Sequence, residues 1–135
     1  MQHMKLYSDV CRECSQHITQ RYSTSFSMGI KAFDKQYRAP IYAIYGFVRF
    51  ADEIVDTFHD FDKAELLARF RKDTYQAIEE KISLNLVLQS FQEVVHQYNI
   101  EMELIDAFLD SMEMDLHFHN YEDSLYKKYI YGSAE

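Results

Sequence analysis

The chain has 135 residues, enough for one domain with a proper core, and it carries a formal charge of −8. Three glycines and one proline are too few for the many turns of an all-β fold, and the acidic balance argues against a nucleic-acid surface. An anionic ligand would need a local device, such as a metal ion or arginines, to bind at all.

No apolar run reaches the roughly 20 residues of a membrane span, and the start does not read as a signal peptide. Two cysteines, Cys11 and Cys14, are too few for a disulfide scaffold. The expected compartment is therefore a reducing cytoplasm, a setting compatible with peripheral contact with a membrane surface. Eleven tyrosines and ten phenylalanines supply rings for a core or for the walls of an apolar cavity.

Lys5 to Arg21 reads as a helix, with Tyr7, Val10, Cys11, Cys14 and Ile18 on one stripe. Both sulfurs share that apolar face. Without a second Cys pair or a βαβ setting, buried structural cysteines are expected rather than a redox or zinc pair. Tyr22-Ser23-Thr24-Ser25-Phe26-Ser27-Met28-Gly29 has four hydroxyl residues in five positions, which disfavours a helix interior. It reads either as a helix break with a serine capping the next helix or as a loop offering hydroxyls and backbone N–H groups to a phosphate. Asp34 to Ala39 reads as a short helical piece leading to Pro40.

Pro40 to Asp56 is the most informative stretch: almost entirely apolar or aromatic, yet holding Arg49, Asp52, Glu53 and Asp56. Pro40 suits the first turn of a helix, where its missing N–H is not needed. At about 100° per residue, Ile41, Ile44, Phe47, Val48, Phe50, Ala51, Ile54 and Val55 cover a wide arc. Tyr45, Arg49, Asp52 and Asp56 follow at its edge, within about 60° of one another. So apolar a helix should be buried, with both aspartates pointing the same way. Two like charges there repel, and burial makes each costlier. The stretch is either an exposed helix end where polarity returns, or a site where a divalent cation neutralises the pair. Oxygen-only ligands suit Mg²⁺ shared with substrate phosphates, and Arg49 can contact a phosphate directly.

Asp62 with Glu65 three residues on predicts a capped helix running to about Lys81 with a solvated, charged outer face. Ser83 or Asn85 caps the next helix, Leu86 to Tyr98, with Leu88, Phe91, Val94, Val95 and Tyr98 inward. Glu101 to about Phe118 comes after it, with Ile105, Phe108, Leu109, Met112 and Leu116 inward. Its own D-x-x-x-D, Asp106 and Asp110, falls about 100–140° from Ile105 and reads as solvated charge. Asp115 sits at the edge of the stripe, as Asp52 does; it reads as a cap, a structural acid or a ligand. His117 and His119 point to different sides, against a histidine metal site. A last helix begins near Tyr121–Asp123, and the chain stops in what reads as mid-helix. The result is an all-α single domain, 1–135, of some six helices, the expected part of a larger bundle.

Three segments, in order, resemble the squalene/phytoene synthase family of head-to-head isoprenyl diphosphate synthases. Tyr22-Ser23-Thr24-Ser25-Phe26 is similar to its serine-phenylalanine motif. Tyr42 to Asp56, with R-x-x-D-E-x-x-D from Arg49, is similar to its first aspartate-rich motif. Tyr129-Ile130-Tyr131-Gly132-Ser133-Ala134 is similar to its Y-x-Y-G-x-A segment. The resemblance covers about the first half of the family's usual length. It implies an N-terminal portion of an isoprenoid-synthase bundle, with the second aspartate-rich motif expected in a missing C-terminal half and with no activity expected of this portion alone.

The resemblance further implies Mg²⁺ held by Asp52 and Asp56, with diphosphate contacted by Arg49, Ser23 and Ser25. Phe26 and Tyr45 would border the reacting chains, and Tyr131 would face the cavity near the departing diphosphate. The implied substrates are prenyl diphosphates, geranylgeranyl or farnesyl diphosphate. One would lose diphosphate to give an allylic cation, which the other's double bond attacks. Aromatic π faces, those of Tyr45, Phe26, Phe47 and Tyr131, are available to meet such a cation. Two rivals are a head-to-tail prenyl synthase or terpene cyclase, and a non-enzymatic helical assembly protein. The arginine ahead of the acids points away from the first, and the joint presence of Arg49, Asp52 and Asp56 points away from the second.

Overall fold

The computed structural model describes the backbone of residues 2–134 and the side chains of residues 3–118. The elements are α1 (Gln2–Tyr22), α2 (Thr24–Ile30), α3 (Lys35–Asp56), α4 (Lys63–Glu80), α5 (Leu86–Tyr98) and α6 (Met102–Ala134), with no strand among the described residues.

The caps explain where the helices begin and end. Ser23 accepts from the Phe26 N–H at 3.1 Å and starts α2. Asp62 does the same from the Glu65 N–H at 3.1 Å for α4. Asn85 accepts from the N–H groups of both Val87 and Leu88 to start α5. Helix α5 stops at Asn99, whose φ of 52° lies in the left-handed region that asparagine tolerates better than most residues.

Three boundaries differ from the sequence expectation. The Thr24–Ile30 segment is helical: once Ser23 supplies the cap, the remaining hydroxyls do not prevent a short helix. The Asp34–Ala39 piece and the Pro40 helix are one, so Pro40 lies in the second turn of α3 rather than the first. Proline there has no N–H for the carbonyl four residues back. The Arg38 guanidinium tightens the corner just before it, donating to Lys31 O at 2.8 Å and Phe33 O at 3.0 Å. Finally, α6 runs through the expected break near residue 120, because no glycine or proline interrupts the chain from Glu101 to Tyr131.

Helix α3 is the spine of the fold. Phe47 lies nearly parallel to Phe91 of α5, ring centroids 3.9 Å apart, and packs against Phe70 of α4 at 5.3 Å and Phe108 of α6 at 5.5 Å. Phe47 is thus the hub of the core and has no face left for a ligand. Helix α1 crosses α3 at Gly46, where an added Cβ would stand 3.1 Å from Ser15 Oγ. This close approach explains why the most buried positions of α1 include Ser15 and Thr19 beside Cys11, while Val10 is exposed. Larger side chains would hold the two backbones apart. Helix α5 is enclosed on several sides, burying Gln89, Ser90 and Gln92 with Leu88, Phe91 and Val95, whereas its last residue, Tyr98, is exposed.

Asp106 and Asp110 are not free in solvent. Tyr75 donates its hydroxyl to Asp106, and Arg71 pairs with Asp110 at 2.8 Å and Glu113 at 2.9 Å. That face of α6 is turned toward α4 and lies outside the candidate site. Cys11 is buried and Cys14 half-buried; burial raises both thiols above their ordinary range, consistent with structural roles.

Candidate active site on the third helix

Arg49, Asp52, Glu53 and Asp56 occupy the last two turns of α3, so one helix face delivers a guanidinium and several carboxylates together. Arg49 Nη2 donates to Glu53 Oε1 at 2.6 Å across one turn, and both side chains are largely withdrawn from solvent, 24% and 17% exposed. The guanidinium carbon lies 4.9 Å from the centroid of the Tyr22 ring, a cation–π distance. Arg49 Nε is buried and has no hydrogen-bond partner, so the fork is held on one side and unsatisfied on another.

The last residue of α1 therefore touches the acid-bearing face of α3. A second contact repeats the pattern one turn further on. Phe26 of α2 stacks on Tyr45 with centroids 4.9 Å apart and planes 25° from parallel. Together these contacts join Tyr22 to Phe26 with Tyr45 to Asp56. Ser23 uses its hydroxyl oxygen to accept from the Phe26 N–H, and Ser25 is exposed beside it.

Asp52 is half-buried and Asp56 exposed at the helix end. Burial pushes the Asp52 carboxyl above its ordinary value. Arg49 opposes this, while Asp56, Asp115 and Glu53 each add to it. The influence of Asp115 is informative: α6 brings a third aspartate, exposed, toward the pair on α3. Asp56, Asp115 and Glu53 thus act on Asp52 against one arginine, a balance that favours a cation beside it.

The donor set suits Mg²⁺, which takes one or two carboxylates and completes its shell with water and phosphate oxygens. Among the described residues, no three carboxylate, histidine or cysteine side chains lie close enough together to hold a metal unaided. Asp52 and Asp56 thus fit as one side of a metal site rather than a whole cage. With Asp56 exposed and Asp52 partly so, the described side chains do not close a chamber over the pair. Phe47, also expected to be available to a ligand, belongs to the core instead. Tyr131 and the rest of the Tyr129–Ala134 motif lie outside the residues whose side chains are described.

Over residues 19–135 the chain matches the squalene/phytoene synthase family. The chain belongs to that family. One curated relative, the 4,4'-diapophytoene synthase of Staphylococcus haemolyticus (strain JCSC1435), is 28% identical over an alignment covering 87% of this chain and 42% of that protein. The chain thus spans less than half the length of this relative. No solved structure matches it. The squalene/phytoene synthase match takes in both regions that pack together here, the Tyr22–Phe26 segment and the Tyr45–Asp56 face. Sequence reasoning did not single out Glu53 and Tyr22 as the groups that hold Arg49. The i, i+4 spacing of Arg49 and Glu53 was a signal for the first; the second depends on how α1 crosses α3.

Proposed function

We propose that this chain forms one side of the active site of a Mg²⁺-dependent prenyltransferase that joins two prenyl diphosphates head-to-head with loss of diphosphate. The substrates in this reading are geranylgeranyl or farnesyl diphosphate. The observation that carries it is the joining of the two motif regions: Tyr22 against Arg49 and Phe26 against Tyr45.

In this reading Arg49 receives the diphosphate. Its guanidinium matches phosphate geometry, and its buried Nε has no protein partner to satisfy it. Ser23 and Ser25 sit at the start of α2 and bind diphosphate oxygens from that side. Asp52 and Asp56 would hold Mg²⁺, which when bound supplies positive charge to offset that of the departing diphosphate. Phe26 and Tyr45 present ring faces to the prenyl chain and to positive charge developing on it, and Tyr131, by its place in the motif, would act beside the departing diphosphate. Asp115 adds a carboxylate to the same field.

The remaining carboxylates of the metal cage come, in this reading, from the further half of a longer protein, so the 135 residues alone turn over no prenyl diphosphate. The decisive experiment is Asp52→Ala in the complete enzyme. Turnover should fall by about two to three orders of magnitude with the fold intact. Near-wild-type turnover in that variant contradicts the assignment, as does condensed product formed by the 135-residue chain alone.

A further inference from the structure

An arginine side chain is long and loses much rotamer freedom when a ligand fixes it. Where the protein fixes it beforehand, that loss falls on folding and not on binding. Arg49 is fixed beforehand, and from two directions. Glu53, one turn further along α3, accepts from Nη2 at 2.6 Å. Guanidinium N–H groups lie in the plane of the group, so this bond restrains it by its edge. Tyr22 restrains it by its face, with the guanidinium carbon over the ring and 4.9 Å from its centroid.

Tyr22 is itself held where it stands. It is the last residue of α1, and the next N–H, that of Ser23, donates to Thr19 O at 2.9 Å while the Ser23 hydroxyl caps α2. Phe26, four residues after Tyr22, stacks on Tyr45, four residues before Arg49. Tyr22 on Arg49 and Phe26 on Tyr45 are two rungs of one ladder, and the second keeps the first in register.

As a charge alone, Glu53 is out of place beside an anion's contact: it cancels part of the attraction that Arg49 exerts. As a restraint its position is explained. Neither contact uses Nε, which has no partner, so the guanidinium is oriented without its donors being used up. We propose that Glu53 and Tyr22 are positioning residues that pre-orient the Arg49 guanidinium for diphosphate, Glu53 by its edge and Tyr22 by its face, while touching neither the diphosphate nor the metal. This rests on the reading of Arg49 as the diphosphate contact and assigns the two groups on which that contact depends.

The test is binding of inorganic pyrophosphate, with Mg²⁺ present, to the complete enzyme by isothermal titration calorimetry. Glu53→Ala should weaken binding about tenfold, and Tyr22→Leu about three- to fivefold. Glu53→Gln keeps an acceptor in place and Tyr22→Phe keeps the ring, so each should restore most of the affinity. The sign at Glu53 is decisive, because a carboxylate acting only as a charge would make Ala and Gln alike bind more tightly. Combined with Arg49→Met, neither Glu53→Ala nor Tyr22→Leu should change binding by more than about twofold, since both act through the guanidinium. The Mg²⁺ concentration for half-maximal turnover should be the same in Glu53→Ala as in wild type.

Unchanged or tighter binding in Glu53→Ala overturns the proposal, as do equal losses in Tyr22→Phe and Tyr22→Leu. Undiminished effects in the Arg49→Met background, or a raised Mg²⁺ requirement in Glu53→Ala, overturn it too, by giving these residues contacts of their own. Circular dichroism checks each fold. If Glu53→Ala unfolds, the Tyr22 variants decide, because that ring is 52% exposed and its loss leaves the core intact. Wild-type binding in Arg49→Met would remove the diphosphate reading of Arg49 and the positioning role with it. Weak binding there with normal binding in the Glu53 and Tyr22 variants would remove the positioning role alone.

Discussion

Arg49 and Glu53 are joined at 2.6 Å in a setting where both are mostly shielded from water, and the carboxylate one residue before Glu53 feels both charges. Arg49 lowers the proton affinity of Asp52 and Glu53 raises it. Arg49→Met should therefore move the Asp52 carboxyl further above its ordinary value, and Glu53→Gln should move it down. Carbon-13 NMR titration of the aspartate carboxyls reads both, and shifts of the same sign would show that the clamp does not control Asp52. Arg49→Met also leaves Glu53 without its partner, at a cost of about 1–3 kcal/mol in urea unfolding.

Asp52 makes stability depend on pH in a definite direction. Its folded-state carboxyl titrates above the ordinary value of 3.8, so the folded protein holds that proton more tightly than the unfolded chain does. The resulting stabilisation is complete below the ordinary value and is lost as pH rises through the raised one. Asp52→Asn removes the charge that burial disfavours. The variant should melt at a higher temperature than wild type at pH 7, and the difference should shrink toward zero as the pH falls below 3.8. An equal or lower melting temperature at pH 7 would show that Asp52 gains more from its neighbours than it loses by burial.

Phe47 offers the largest single effect on the fold. Its ring is buried against Phe91, Phe70 and Phe108. Phe47→Ala should cost about 3–5 kcal/mol, whereas Phe61→Ala, at an exposed ring, should stay within about 0.5 kcal/mol of wild type. Urea midpoints at constant m-value measure both. A small loss at Phe47 would mean that α3 is not the centre of the core.

The α1–α3 crossing should behave as a coupled pair. Gly46→Ala gains about 1 kcal/mol of helix propensity but sets its methyl 3.1 Å from Ser15 Oγ, so it should destabilise by about 1–2 kcal/mol net. Ser15 Oγ is buried without a partner, and Ser15→Ala should be close to neutral. In the Ser15→Ala background the nearest obstacle is gone, and Gly46→Ala should become less damaging by at least about 1 kcal/mol. Additive effects in a double-mutant cycle would show that the helices do not meet there.

Much of the fold was legible because local chemistry dictates it. Asp62 and Asn85 cap the helices their positions predict, and the apolar stripe of Ile105, Leu109 and Leu116 is buried as its spacing requires. Misread boundaries fell where local signals were weak or conflicting. Ser23 has a cap's chemistry, yet the hydroxyls after it argue against the helix it caps. Pro40 marks a helix start by preference but is tolerated one turn in. On α1, an apolar stripe was the natural expectation, yet Ser15 takes a buried place because a neighbouring backbone comes within reach of it. On α6, Asp106 and Asp110 were legible as polar but not as partners of Tyr75 and Arg71, which lie more than thirty residues away in sequence.

By itself the sequence determined that the protein is helical, that Arg49, Asp52 and Asp56 share one face of a single helix, and that Ile105, Leu109 and Leu116 line an inward stripe. Each comes from the 100° step of a helix and the aversion of apolar side chains to water, both local properties. Only the tertiary structure decided that Tyr22 covers Arg49, that Phe26 stacks on Tyr45, and that Asp115 brings its charge to bear on Asp52 from another helix. Those relations depend on how whole helices cross, and that is set by packing among residues far apart in the chain.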